Sequence, residues 1–149
     1  MIEKKFPEYF SNFEIPEWAK PDVLEVYRAC STGRVDRESF LNSYEENGFK
    51  PLPGIEITEP SMYSLSTYTK YRDVKRFMSM TSKFGVPYVI ATGKTNPEYG
   101  VCLETKVWKK MLGEKSKTSH VDYWLYEGST PWFDFQMCED IAADKQGDA

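Results

Sequence analysis

Histidine is almost missing from this chain: 149 residues hold one, His120. Cysteine is sparse too, with Cys30, Cys102 and Cys138 far apart and no C-x-x-C pair. So few imidazole and thiol ligands argue against an ordinary zinc site. An odd, scattered set of thiols reads as reduced rather than disulfide-bonded. No run of eighteen apolar residues occurs, so no membrane span is expected, and residues 1–7 carry no apolar stretch of the signal-peptide kind. These absences predict a cytoplasmic protein with no metal or other cofactor. A phosphate loop is missing as well. "ATGKT" (91–95) has Tyr88 where the first glycine belongs and Asn96-Pro97 where the following helix should start. "STGRVD" (31–36) is too short and wrongly spaced for an EF-hand.

What the chain has in quantity is aromatic surface, 15% of residues, with ten tyrosines. Tyrosine joins an apolar ring to a hydroxyl that needs a partner, so it suits half-buried faces and interfaces. An apolar share of 40% beside 28% charge is a globular balance, and the length fits one domain, 1–149. The net charge of −4 is uneven. Residues 61–121 carry eleven Lys and Arg against four acids, +7, which leaves −11 for the remainder. Such asymmetry makes a nucleic-acid partner conceivable but suits a protein partner better, because the domain as a whole is acidic.

The periodicities predict an α+β fold: an N-terminal helical hairpin, then a small, mostly antiparallel sheet of about four or five strands covered by one helix. Residues 1–20 read as an arm that docks its rings. Pro21-Asp22 suits a helix start, and Val23, Val26, Tyr27 and Cys30 follow at helical spacing up to Gly33. Asp36 is an apt N-cap, Val35 and Phe40 are placed as a staple, and Asn47-Gly48 supplies a left-handed stop. That completes the hairpin, 21–48. Within 61–138, strands are expected at 62–68, 86–93, 99–105, 120–126 and 131–137, with helices at 70–84 and over "KVWKKML". Residues 139–149 read as an acidic, frayed tail.

The candidate site centres on "SHVDYWLYEG" (119–128). Strand parity puts Val121, Tyr123 and Leu125 on one side, a core face, and His120, Asp122, Trp124 and Tyr126 on the other. Glu104, on a neighbouring strand, is grouped with that second face. A face both aromatic and ionisable is expected of a contact surface or pocket wall. A nucleophilic Cys102–His120–Asp122 set is a weaker reading, since the last two stand about 7 Å apart along a strand. A basic face of the 70–84 helix, Lys70, Arg72, Lys75 and Arg76, reads first as its solvated side and second as a phosphate contact.

One stretch resembles a known family. "YSLST" (63–67), an aromatic followed by a short Ser/Thr strand, resembles the middle element of the arginine–serine–glutamate type of ADP-ribosyltransferases. The resemblance implies an NAD site completed by an upstream arginine, Arg28 or Arg34, and a downstream glutamate, Glu104 or Glu127. The family's paired Glu/Gln-x-Glu is missing here, and neither arginine falls on an expected strand. The sequence thus points to an interaction module that binds a partner protein through the His120 face, inhibitor- or immunity-like by analogy. The alternative is a nucleotide- or NAD-binding enzyme using the same face.

Overall fold

A computed structural model describes residues 4–81 and 88–138. Its frame is one six-stranded antiparallel sheet. The strands are β1 (Glu25–Cys30), β2 (Leu65–Tyr68), β3 (Val89–Lys94), β4 (Gly100–Glu104), β5 (His120–Leu125) and β6 (Phe135–Met137). Among the described residues, three helices join them: α1 (Ser43–Glu46), α2 (Tyr71–Thr81) and α3 (Thr105–Met111), with short 3-10 turns between. The spatial order is β4-β5-β2-β1-β3-β6. The fold is α+β, but sheet-dominated.

The expected helical hairpin is therefore corrected. Residues 25–30 form β1, a central strand paired along its whole length with β3. Both its sides are covered: Val26 and Cys30 belong to one buried cluster, Ala29 to another. A strand buried on both faces shows no two-residue alternation, and its apolar residues can fall by chance at helical spacing. The second half of the hairpin shrinks to a 3-10 turn, Arg37–Phe40, and the single turn of α1. The local signals there act at shorter range than expected. Asp36 caps the 3-10 turn by accepting from the Ser39 amide, and Val35 and Phe40 pack in one cluster. Gly48 takes the left-handed conformation, φ 70°.

The remaining segments lie close to their expected places, with shifted bounds. The strand expected at 62–68 is a 3-10 turn (Pro60–Tyr63) leading into β2, and 131–137 is a 3-10 turn leading into β6. Val74, Phe77 and Met78 turn the inner side of α2 onto Ala29 and Ile90. The end of the helix expected at 82–84, the start of the strand expected at 86, and the acidic tail lie outside the described residues. No helix among the described residues is long and apolar enough to cross a membrane.

Register assigns the two faces of the sheet, because cross-strand pairs share a side. Leu65 pairs with Tyr123, and Cys102 with Tyr123 from the other flank. With Val26, Ala91, Val121 and Phe135 they build the first core, closed by Phe40. Trp124 and Leu103 lie on the second side, under Phe10, Phe13, Tyr44, Met62, Tyr63 and Trp108. The ring of Phe13 stacks on Tyr63 with centroids 4.3 Å apart, so residues of the N-terminal arm are structural.

Candidate functional site

The sheet has one weak line. Within the β4-β5-β2 group and the β1-β3-β6 group, strands pair over three to six residues, but β1 and β2 pair at one position, Tyr27 with Tyr68. Beyond it the two strands splay, and the guanidinium of Arg28 fills the gap. Its Nε donates to the Ser39 carbonyl at 3.0 Å, and its two terminal nitrogens donate to the carbonyls of Ser66 (2.9 Å) and Leu41 (3.5 Å). Arginine suits this place because its planar fork carries five N–H donors in fixed directions. Burial lowers the basicity of Arg28, and the nearby Glu46 carboxylate partly offsets that.

Opposite Arg28, β2 and β5 bring up serine and aspartate. Ser66 pairs with Asp122 and Tyr68 with His120, so all four share one side. Asp122 is 0% exposed, and both of its oxygens are occupied. Oδ1 accepts from the Ser64 hydroxyl (2.5 Å); Oδ2 accepts from the Thr105 hydroxyl (2.7 Å) and the Trp108 indole N–H (3.1 Å). Thr105 and Trp108 are three residues apart on α3, the spacing that puts both on one helix side. β4 runs directly into α3, which sets that side over β5. A buried carboxylate with three donors is well satisfied, whereas losing any one donor would leave it short. Thr105 also touches His120, Oγ1 to Nδ1 at 2.5 Å, while the His120 and Asp122 side chains stand 3.8 Å apart. Burial makes His120 less basic, the Asp122 carboxylate opposes this, and Arg28 adds to it.

A hollow of about 110 Å³ lies along the splayed line, with Arg28, Ser64, Ser66, Glu46, Phe77 and Tyr88 among its walls. A larger cavity, about 520 Å³, lies between the arm and the 126–132 loop and includes Tyr9, Phe40, Tyr126 and Trp132.

The residues expected at the site meet different fates. His120, Asp122 and Trp124 do lie on one side of β5, but that side is a second core rather than an open surface. Trp124 is 0% exposed, its indole N–H given to the Pro60 carbonyl. Tyr126, half-buried past the end of β5, packs on Phe6 and lines the larger cavity. Glu104 pairs with Val121 and therefore lies on the opposite side from His120. Cys102 shares that opposite side, pairing with Tyr123, so a Cys102–His120–Asp122 set does not form. Burial pushes the Cys102 thiol up, and Cys30 up to about 11, so neither is an activated nucleophile. Lys70, just before α2, and Arg72, Lys75 and Arg76 on it are all exposed. Among the described residues, no three His, Cys, Asp or Glu gather as metal ligands.

Sequence reasoning missed Thr105 and Trp108, which hold Asp122, and it placed Arg28 on a helix. Two signals could have revealed the first pair: a threonine three residues before a tryptophan, just after a strand. Compared with protein families, curated proteins and solved structures, the chain matches none.

Proposed function

We propose that this chain is a nucleotide-binding enzyme of ADP-ribosyltransferase type, taking NAD at the line between β1 and β2. One observation carries the reading: Arg28 of β1 and the Ser64–Ser66 segment leading into β2 line one hollow, with Asp122 of β5 buried behind it and bonded to Ser64. Arginine and serine are the first two residue types that the "YSLST" resemblance calls for, in that order along the chain, and an aspartate stands where it calls for a glutamate. The acid is Asp122 rather than either glutamate: Glu104 faces the other way, and Glu127 follows β5, exposed, its amide bonded to the Lys5 carbonyl.

Each group has a chemical use there. A guanidinium binds phosphate oxygens, and a carboxylate such as Glu46 accepts from ribose hydroxyls. As nicotinamide leaves, positive charge grows on the ribose, and a preorganised carboxylate stabilises that charge in a site with little water. Asp122 is positioned for this through Ser64, which separates it from the hollow. Size limits what enters: the hollow is about 110 Å³, so most of a dinucleotide must lie outside it. The sequence pointed first to partner binding through the face of Asp122 and Trp124; both are buried, which favours the nucleotide reading.

The test is a melting experiment with NAD, ADP-ribose and ATP, together with an assay for nicotinamide released from NAD. Ligand at a hundredfold its Kd should add about 2.7 kcal/mol to stability. Ser64→Ala should reduce nicotinamide release about tenfold or more while the chain remains folded. Unmoved melting with all three ligands and no nicotinamide release would sink the proposal.

A further inference from the structure

We infer that the outer side of α2 and α3 is a docking surface for anionic phospholipid membranes. Its lysines meet the headgroups, and Met80 and Leu112 enter the boundary beneath them. The NAD reading is not needed for this and does not follow from it.

Register puts both helices on one side of the sheet. Tyr27 pairs with Tyr68 and Tyr68 with His120, so they share a side with Ala29 and Asp122, each two residues along a strand. α2 packs on Ala29 through Val74 and Phe77, and α3 bonds Asp122 through Thr105 and Trp108. The connection from α3 to β5 ties the two helices together, since the Ser119 amide donates to Asp73 in the first turn of α2 (3.2 Å).

Residues 70–81 and 105–119 carry nine Lys and Arg against two acids, a local +7 in a chain whose net charge is −4. Arg72 lies 3.5 Å from Asp73, Lys109 3.2 Å from Glu114 and Lys106 3.8 Å from Glu104. Both local acids are thus already engaged. Lys70, Lys75, Arg76, Lys110, Lys115 and Lys117 are exposed and make no ion pair among the described residues. Glu14 and Glu17 belong to the arm, whose end at Lys20 pairs with Cys102 on the outer strand β4, so they border this surface on the side away from α2. Cations gathered in this way are the complement of a polyanionic partner.

Two features choose lipid over nucleic acid or an acidic protein. Large apolar side chains stand among the cations: Met80 is 77% exposed, Leu112 61% and Met111 52%. Met80 follows Arg76 by four residues and Asp73 by seven, which puts it on the flank of α2 nearest the 112–119 connection. Phosphates offer such side chains nothing, whereas the boundary below the headgroups buries them. The second feature is that seven of the nine cations are lysine. Nucleic-acid and protein contacts favour arginine, whose planar fork fixes a geometry. Lysine is a point charge on a flexible stem and suits a fluid layer of headgroups.

The test is sedimentation of the whole chain with vesicles of phosphatidylcholine alone, or of phosphatidylcholine and phosphatidylserine in equal amounts. Binding to the mixed vesicles should be tighter by about tenfold or more and should weaken with salt. Each cation removed should cost about fivefold, so Lys75→Gln, Arg76→Gln and Lys110→Gln together should abolish most of the binding. Met80→Ser with Leu112→Ser keeps the charge and should still weaken binding about threefold or more. Lys20→Gln should bind as the wild type, because Lys20 pairs with Cys102 and so shares the opposite side. All these side chains are exposed, so melting temperatures should not move. No sedimentation with the mixed vesicles overturns the proposal, and so does a loss from Lys20→Gln equal to that from Arg76→Gln. Undiminished binding in the Met80–Leu112 variant removes the case for lipid and overturns it too. An RNA oligomer that strips the chain from the vesicles at matched phosphate overturns it in favour of nucleic acid.

Discussion

The two halves of the sheet, β4-β5-β2 and β1-β3-β6, satisfy their backbones by the same ladders, and the line between them does not. Inside the halves, carbonyls meet amides over three to six paired residues. Between them one pair remains, and the side chain of Arg28 does the work that a ladder would do. A broken ladder is a defect only if its polar groups are left bare. Filled by a cation, it becomes a place where backbone, charge and a small hollow coincide, and the residue types with chemical potential collect there. The halves supply rigidity, and the line between them supplies the site.

The strongest way to break this contrast is to empty the line. Arg28→Met should lower stability by about 3–5 kcal/mol, the range for removing one member of a buried charged network. Three carbonyls, of Ser39, Leu41 and Ser66, lose their donor at once. Urea denaturation reads the loss, and a change under 1 kcal/mol would mean that the halves hold together without Arg28. The comparison inside a half is smaller. Gly100→Ala on β4 would push a methyl group against the Trp124 carbonyl and the Leu125 backbone. Overpacking of that kind costs roughly 1–3 kcal/mol. Should Gly100→Ala exceed Arg28→Met, the line would be the tighter part of the sheet and the contrast would be reversed.

Much of the sheet was legible in the sequence, and the reasons are local. α2 and α3 announce themselves by spacing, β5 by its alternation, and the Asp36 cap and Gly48 stop by their chemistry. β1 was not legible, because its pattern reflects two covering layers rather than one. At the site, parity alone put His120 and Asp122 on one side of a strand. Parity could not say that α3 and the arm cover that side, since coverage is decided by tertiary packing. Nor could residue type say which acid bonds the Ser64–Ser66 segment. Glutamates at 104 and 127 were the natural candidates, yet Asp122 bonds Ser64 because it lies within the segment of β5 that pairs with β2.

The smallest expected effect tests whether the two sides of β5 differ in their response to acid. His120 is held less basic than a free imidazole, whose pKa is 6.5, chiefly because it is buried. Above 6.5 neither folded nor unfolded chain carries the proton, and the stability contribution is full. As pH falls through 6.5, the unfolded chain takes up the proton first, so stability drops until the folded-state value is reached. Asp73, held below its ordinary carboxyl value mainly by its bond with Ser119, acts in the same direction. Its window, however, starts only near 3.8, well below that of His120. Urea midpoints between pH 7.5 and 5.5 should therefore fall in the wild type and flatten in His120→Gln, and the two should run parallel again near pH 3. A wild-type chain whose midpoint holds constant from 7.5 to 5.5 would place His120 in a wetter setting than the Asp122–Thr105 side of the sheet provides.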